Sequence, residues 1–209
     1  MGKNIIIIGS GGLARTALDL AFHAKRKITG IIDLNYNNVN EQINNTDVIG
    51  NLDTLEQYKP KDIDLLLAIG DCNIREEIYR TYSELGFAFP NFIHPSAIMS
   101  KTNIKIGDGI IIGAGSIIMS DVKIGNNNII YSGCIIEHEC TIGNNCTLAP
   151  GVKIAGRVSI QNNVSIGIGC NIIDKVRIDD NVVIGAGSLV ITDVVKNAIV
   201  FGVPAKPKN

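Results

Sequence analysis

The stretch IGNNNI IYSGCI IEHECT IGNNCT LAPGVK IAGRVS, residues Ile124–Ser159, opens each group of six on an aliphatic side chain. The same beat runs from Ile106 to Val190 without an insertion, fifteen hexads in a row. Second positions favour glycine: Gly107, Gly113, Gly125, Gly143, Gly167 and Gly185. Fifth positions are small or medium, among them Cys134, Cys140, Cys146 and Cys170. Period six marks a parallel β-helix of hexapeptide repeats, with three hexads to each triangular coil. First-position residues point inward and stack coil on coil, each burial worth about 1.5–3 kcal/mol. Fifth-position residues fill the corners, so these four cysteines read as packing. The count predicts five coils over residues 106–195. Residues 94–105, with Ile98 and Ile104, are expected to continue the register for part of another coil.

Residues 1–93 follow another rule, with alternating strands and helices and a local charge of 9 − 12 = −3. Ile5–Ile8 is a β-branched run of a fully buried strand. Gly9-Ser10-Gly11-Gly12 breaks it, and residues 13–24 repeat apolar positions at helical spacing. Ile28–Ile32 is a second strand ending at Asp33. A short helix is expected over residues 53–57 with Asp53 as its cap. Residues 64–69 form a third strand closed by Gly70-Asp71, and residues 73–85 a second helix. This is a small Rossmann-like α/β domain with right-handed crossovers, followed by an all-β domain over 94–209. Gly9-x-Gly11-x-x-Ala14 would present backbone N–H groups and a helix N-terminus to a phosphate. Asp33 stands at the ribose-binding place of a dinucleotide fold.

Whole-chain arithmetic narrows the classes. The 209 residues carry 19 basic and 20 acidic side chains, so no basic stripe points to nucleic acid. Aromatics are few (Phe 5, Tyr 5, Trp 0), which makes the core aliphatic. No apolar run approaches the ~20 residues of a membrane span, and the four-residue run at Ile5 is too short for a signal peptide. An odd count of five cysteines favours a reducing cytoplasm.

The hexad array, the tail Gly202-Val203-Pro204-Ala205-Lys206 and the segment Glu137-His138-Glu139-Cys140 together resemble one family. It is that of the bacterial sugar acetyltransferases, which acylate amino sugars on a nucleotide carrier or hydroxyls of sialic-acid-like sugars. The resemblance covers essentially the whole chain. It implies a left-handed β-helix, acetyl-CoA as acyl donor without a metal, and a homotrimer with its active site between subunits. It makes His138 the general base and Glu139 its partner, with Gly156, one coil on, as oxyanion donor. It places the pantetheine arm near Ile168 and Ala186, with Val203 and Lys206 closing over the nucleotide end. Ser10, Gly11, Gly12, Asp33, Gly70 and Asp71 would bind the sugar nucleotide. The chain departs from the family pattern at Leu13 and Thr147, where the family carries histidines.

A base suits this chemistry because acetyl-CoA is already activated and the attacking amine must shed a proton. Glu137 and Glu139 flank His138, and strand alternation would turn both away from it. Only a turn at Glu139 would fold that carboxylate back. His23 reads as a surface residue and His94 as structural, while Cys72 has no assigned role. Three other classes compete. A nicotinamide oxidoreductase would use Gly9 to Asp33, but about 93 residues is short for it. A zinc hydratase needs three converging histidines. A non-catalytic scaffold would tolerate His138→Ala.

Overall fold

The computed structural model describes residues 2–37 and 41–208. Contacts divide the chain into two units, Met1–Phe92 and Ile93–Asn209.

The first unit is an α/β sandwich. Strand β1 is Asn4–Ile8, α1 Gly12–His23, β2 Ile28–Ile32, β3 Gln42–Ile43, β4 Thr46–Gly50, β5 Ile63–Leu67 and α2 Cys72–Glu84. The sheet order is β3-β4-β2-β1-β5, parallel except for the β3–β4 hairpin. Ile5–Ile8 are wholly buried at its centre, as their position between two parallel neighbours requires. The chain moves from β1 to β2 and β4 on one side, then returns to place β5 on the other. The switch point therefore lies between β1 and β5, where loops after parallel strands diverge and open a crevice.

Three local expectations need correction. The strands over 42–50 were not foreseen. Asn44-Asn45 supplies the two-residue turn, both at positive φ (45° and 62°), the conformation hairpin turns of this length prefer. The short helix, a 3-10 helix, begins at Leu52, and Asn51, not Asp53, caps it. The Asn51 side chain accepts from Asp53 N, because Asn51 still has extended backbone and Asp53 already lies in the first turn.

The second unit is a parallel β-helix. Its partners lie eighteen residues apart, as in Ile117↔Ile135, Lys123↔Thr141 and Ile129↔Thr147. First-position residues from Ile112 to Val190 are buried, and so are all the fifth-position ones. The register departs from the expectation at both ends. Ile98 pairs with Ile117, nineteen residues on. One extra residue between Met99 and Lys105 lets Ala97 and Met99 take the inward places, and Ile98 is 61% exposed. At the other end Val194 bridges Ile178 and Val183 pairs with Ile199, sixteen residues apart. Asp193 shortens that bend by accepting from Arg177 N at 2.7 Å. The tail closes as an antiparallel pair, Val200↔Pro207 and Phe201↔Lys206.

The three corners are built from different residues. One uses Gly115, Gly133, Gly151, Gly169 and Gly187 at left-handed φ of 66–72°. The second uses an asparagine ladder: Asp108 N, Asn126 N, Asn144 N and Asn162 N each donate to a side-chain oxygen one coil on. The third carries Asp121, Glu139, Arg157 and Lys175, also at positive φ. No helix among the described residues is long and apolar enough to cross a membrane.

Candidate active site

The charged corner brings together what the sequence singled out at His138. A left-handed backbone at Glu139 (φ 60°) turns its side chain back instead of away. Glu139 Oε2 then lies 3.0 Å from His138 Nδ1. A carboxylate only accepts, so Nδ1 carries the proton and Nε2 is the basic nitrogen. The same oxygen accepts from Arg157 Nε at 3.1 Å. The hydrogen bond from His138, then that from Arg157, holds the Glu139 carboxyl below its ordinary value, which keeps it an anion and an acceptor. The His138 side chain is 45% exposed, open to solvent.

Gly156 stacks on the imidazole one coil on. A Cβ built there would lie 2.7 Å from both Cε1 and Nε2 of His138, so the close approach requires glycine. Its carbonyl accepts from Lys175 N, and Arg157 N donates to His138 O. Among the described residues, no protein acceptor takes the Gly156 N–H. At the asparagine corner the equivalent N–H groups are claimed by the ladder. The residue missed in the sequence is Arg157, and the missed signal was arithmetic. Arg157 follows Glu139 by eighteen residues, one full coil, as Gly156 follows His138.

The proposed coenzyme residues lie elsewhere. Ile168, 56% exposed, and Ala186 sit on the glycine corner, where Gly187 N donates to Ile168 O. Val203 and Lys206 are exposed in the tail. One chain therefore does not gather them around His138. Thr147 lies on a strand of the β-helix, paired with Ile129 and Ser165.

In the first unit, the expected sugar-nucleotide residues gather at the carboxyl ends of β1, β2 and β5. Ser10 Oγ donates to Asp33 Oδ2 at 2.6 Å, and Asn35 N to Asp33 Oδ1 at 2.8 Å. Asp33 is thus tied to the glycine turn it was expected to serve with. Gly11 is the N-cap of α1 and makes no side-chain cap bond, so the first N–H groups of that helix keep their positive end open. A Cβ at Gly11, Gly12 or Gly70 would meet nothing within 4 Å, whereas one at Gly9 would fall 2.5 Å from Ala68 O. Gly9 serves the fold, and the others border free space. Asp71 caps α2 by accepting from Asn73 N and Ile74 N. Arg75 is wholly buried and donates to Ile69 O and Gly70 O, fixing that loop from beneath, and its Nη2 lies 3.7 Å from Cys72 Sγ. His94 Nδ1 accepts from Ser96 N in its own turn, the structural place expected of it.

Comparison with known proteins gives the same division. The family described as PglD N-terminal domain matches residues 4–82, and that of bacterial transferase hexapeptide repeats matches 103–138 and 121–156. The chain is similar to a histidine-to-alanine variant of GDP-perosamine N-acetyltransferase from Caulobacter crescentus, solved with CoA and GDP-perosamine. Identity is 30% over 100% of this chain and 98% of that one, with a TM-score of 0.94. It is similar also to the acetyltransferase domain of PglB from Neisseria gonorrhoeae, solved with acetyl coenzyme A. There identity is 26% over 100% of both chains, with a TM-score of 0.91. A search of curated protein sequences gave no match.

Proposed function

The chain belongs to the hexapeptide-repeat sugar acetyltransferases of bacteria, and on that premise we propose that it acetylates the amino group of a nucleotide-linked amino sugar, with His138 as general base. The β-helix is then the left-handed kind of that family, and the enzyme an acetyl-CoA-dependent acyltransferase. Both solved relatives are acetyltransferases, and the perosamine enzyme acts on nitrogen, which favours an amine acceptor over a hydroxyl. The observation that carries the mechanism is the 3.0 Å bond between His138 Nδ1 and Glu139, which leaves Nε2 as the ring's acceptor nitrogen.

The reaction needs no covalent enzyme intermediate. The neutral amine attacks the thioester carbonyl carbon, and the C–O π pair moves onto oxygen. The Gly156 N–H would donate to that oxyanion. His138 Nε2 takes the proton lost by nitrogen, the C–S bond breaks, and the imidazolium returns the proton to the departing thiolate. The products are the acetamido sugar and CoA thiol. Glu139 stabilises the transient imidazolium and fixes the ring. The sugar nucleotide would lie against Ser10, Gly11, Gly12, Asp33, Gly70 and Asp71, its phosphates on the open end of α1.

Ile168, Ala186, Val203 and Lys206 would hold the coenzyme from a neighbouring copy. A homotrimer supplies that neighbour by cyclic closure. Exposed Ile168, Ile191, Val195 and Val203 on the β-helix unit fit such burial. Five free thiols fit a reducing cytoplasm. The test is thiol release from acetyl-CoA with a panel of nucleotide amino sugars. His138→Ala should lower kcat by roughly 10²–10⁴-fold with little change in acetyl-CoA KM. Wild-type turnover in that variant would refute the base, and a monomer of about 22.4 kDa by light scattering would refute the shared site.

A further inference from the structure

We propose that Arg157 is a positioning residue for this reaction, acting on the base through Glu139. The inference rests on His138 being that base. Its ground is which oxygen Arg157 holds. Glu139 has two carboxylate oxygens, and the Arg157 Nε bond ends on Oε2 at 3.1 Å. That is the oxygen 3.0 Å from His138 Nδ1. Two donors converging on one oxygen from two coils leave the carboxylate little freedom to rotate. The backbone of Arg157 is tied to the same pair, since its N–H donates to His138 O at 2.9 Å.

A simpler role is open to an arginine here. Corner residues of this helix pair along the axis, as Asn103 Nδ2 does with Asp121 Oδ1 at 2.7 Å and Asn181 Nδ2 with Asn197 Oδ1 at 3.0 Å. Arg157 could be one more such rung, contributing to stability alone. Two features favour positioning. The Asp121 and Asn197 rungs reach no imidazole, whereas this one ends on the base's own partner. The position also stands at φ 61°, a conformation that glycine adopts without strain and arginine does not. The glycine corner shows that a bare left-handed residue completes the bend.

Charge gives the arginine a second effect. As the amine is deprotonated, positive charge appears on His138 and is drawn to Glu139. Arg157 already donates to that anion, which keeps Glu139 ionised and aimed at the ring while the charge is present. Geometry and charge both act on turnover, and neither touches acetyl-CoA in the ground state.

The variant to make is Arg157→Gly, because glycine suits the left-handed backbone and should leave the fold intact. We expect kcat to fall by roughly tenfold, since misplacing a catalytic group by about 1 Å can cost up to 10²-fold. The acetyl-CoA KM should hold within about twofold, and millimolar guanidinium should restore part of the lost kcat. Arg157→Gly added to Glu139→Ala should lower kcat by less than about twofold, because the two act along one chain of contacts. Thermal unfolding of each variant checks the fold, and Arg157→Lys serves as a second variant if glycine unfolds the corner. Lysine keeps the charge without the planar fork and should recover turnover only in part. If His138→Ala cripples the enzyme while Arg157→Gly turns over like wild type, Arg157 is only a rung. Full multiplicative losses in the double variant would likewise overturn the proposal. If His138→Ala itself turns over normally, the base reading fails, and the Arg157 proposal with it, whatever Arg157 does.

Discussion

Replacing Gly156 with alanine isolates the position of the imidazole from its chemistry. The added methyl would lie 2.7 Å from His138 Cε1 and Nε2 and 3.2 Å from Nδ1. Carbon contacts settle near 3.5–4.0 Å, so the ring must retreat by roughly 1 Å. Gly156 is not among the left-handed residues, so the alanine backbone itself is unstrained. His138 is nearly half exposed and the rest of the corner is tied coil to coil, so the ring swings outward and the strands stay in place. Stability should therefore change by less than about 1 kcal/mol. The 3.0 Å bond to Glu139 would stretch or break, and a misplacement of about 1 Å costs as much as 10²-fold in turnover. The backbone N–H is kept, so any loss belongs to the ring and not to a deleted oxyanion donor. Thiol release at saturating acetyl-CoA gives kcat, and urea unfolding gives stability. A folded variant with kcat within threefold of wild type, and a crystal structure showing the ring displaced, would refute the claim that His138 works from this place.

Further outcomes concern Cys134, the glycine turn of the first unit and the Glu139 carboxyl. Burial pushes the Cys134 thiol up to about 11, so in the native protein at pH 8 it should resist iodoacetamide and react only on unfolding. Cys134→Ala should cost roughly 1–2 kcal/mol and keep activity, and loss of turnover in the folded variant would mark a functional thiol. Gly9→Ala should destabilise by roughly 1–3 kcal/mol, because φ is 112° and the new Cβ meets Ala68 O. Gly11→Ala should leave stability nearly unchanged and raise the acceptor KM, which substrate titration of both variants would show. Glu139 has a carboxyl held below its ordinary value near 4.5, so its contribution is complete above that value and is lost as pH falls through the lower folded value. Wild type and Glu139→Gln should therefore differ at pH 7 and converge in strong acid, as urea titrations at the two pH values would reveal.

The solenoid was legible because each hexad repeats one demand, an inward aliphatic at position one and a small side chain at position five. What repeats can be counted. The ends could not be counted, since a one-residue insertion before Lys105 and a two-residue shortening before Val194 obey no period. Ile98 was misplaced for that reason. The β3–β4 hairpin was missed although Asn44-Asn45 is a usable turn signal, because strands of two and five residues carry little hydrophobic pattern. The sequence offers Asp53 as a cap because aspartate and asparagine both cap helices, and only the position of the first turn decides between Asn51 and Asp53. At the site, the fold-back of Glu139 could be anticipated as a condition but not as a fact. Its left-handed φ follows from the fourth-position glycines and asparagines elsewhere in the repeat, which mark where every coil bends. Arg157 needed one more step, the addition of eighteen.

Three corners on one solenoid also allow the fold's needs to be separated from the site's. Each bend requires a residue at positive φ, and glycine meets that need alone at one corner. Asparagine meets it at another, at Asn127, Asn145, Asn163 and Asn181, while the residue just before each of them takes an N–H group of the coil before. Charged residues at positive φ lack glycine's freedom, and a left-handed residue costs roughly 1–2 kcal/mol. A sequence selected for the helix alone would have no reason to carry four of them in line. Charge by itself does not account for the choice, since Asp121 bonds Asn103 and Lys175 bonds its neighbour Asp174 at 3.6 Å. Glu139 differs in what it reaches. Its bend aims a carboxylate at an imidazole, the glycine above makes room for the ring, and no ladder covers the Gly156 N–H. Those three departures meet at a single turn, and the base chemistry proposed there would account for all of them together.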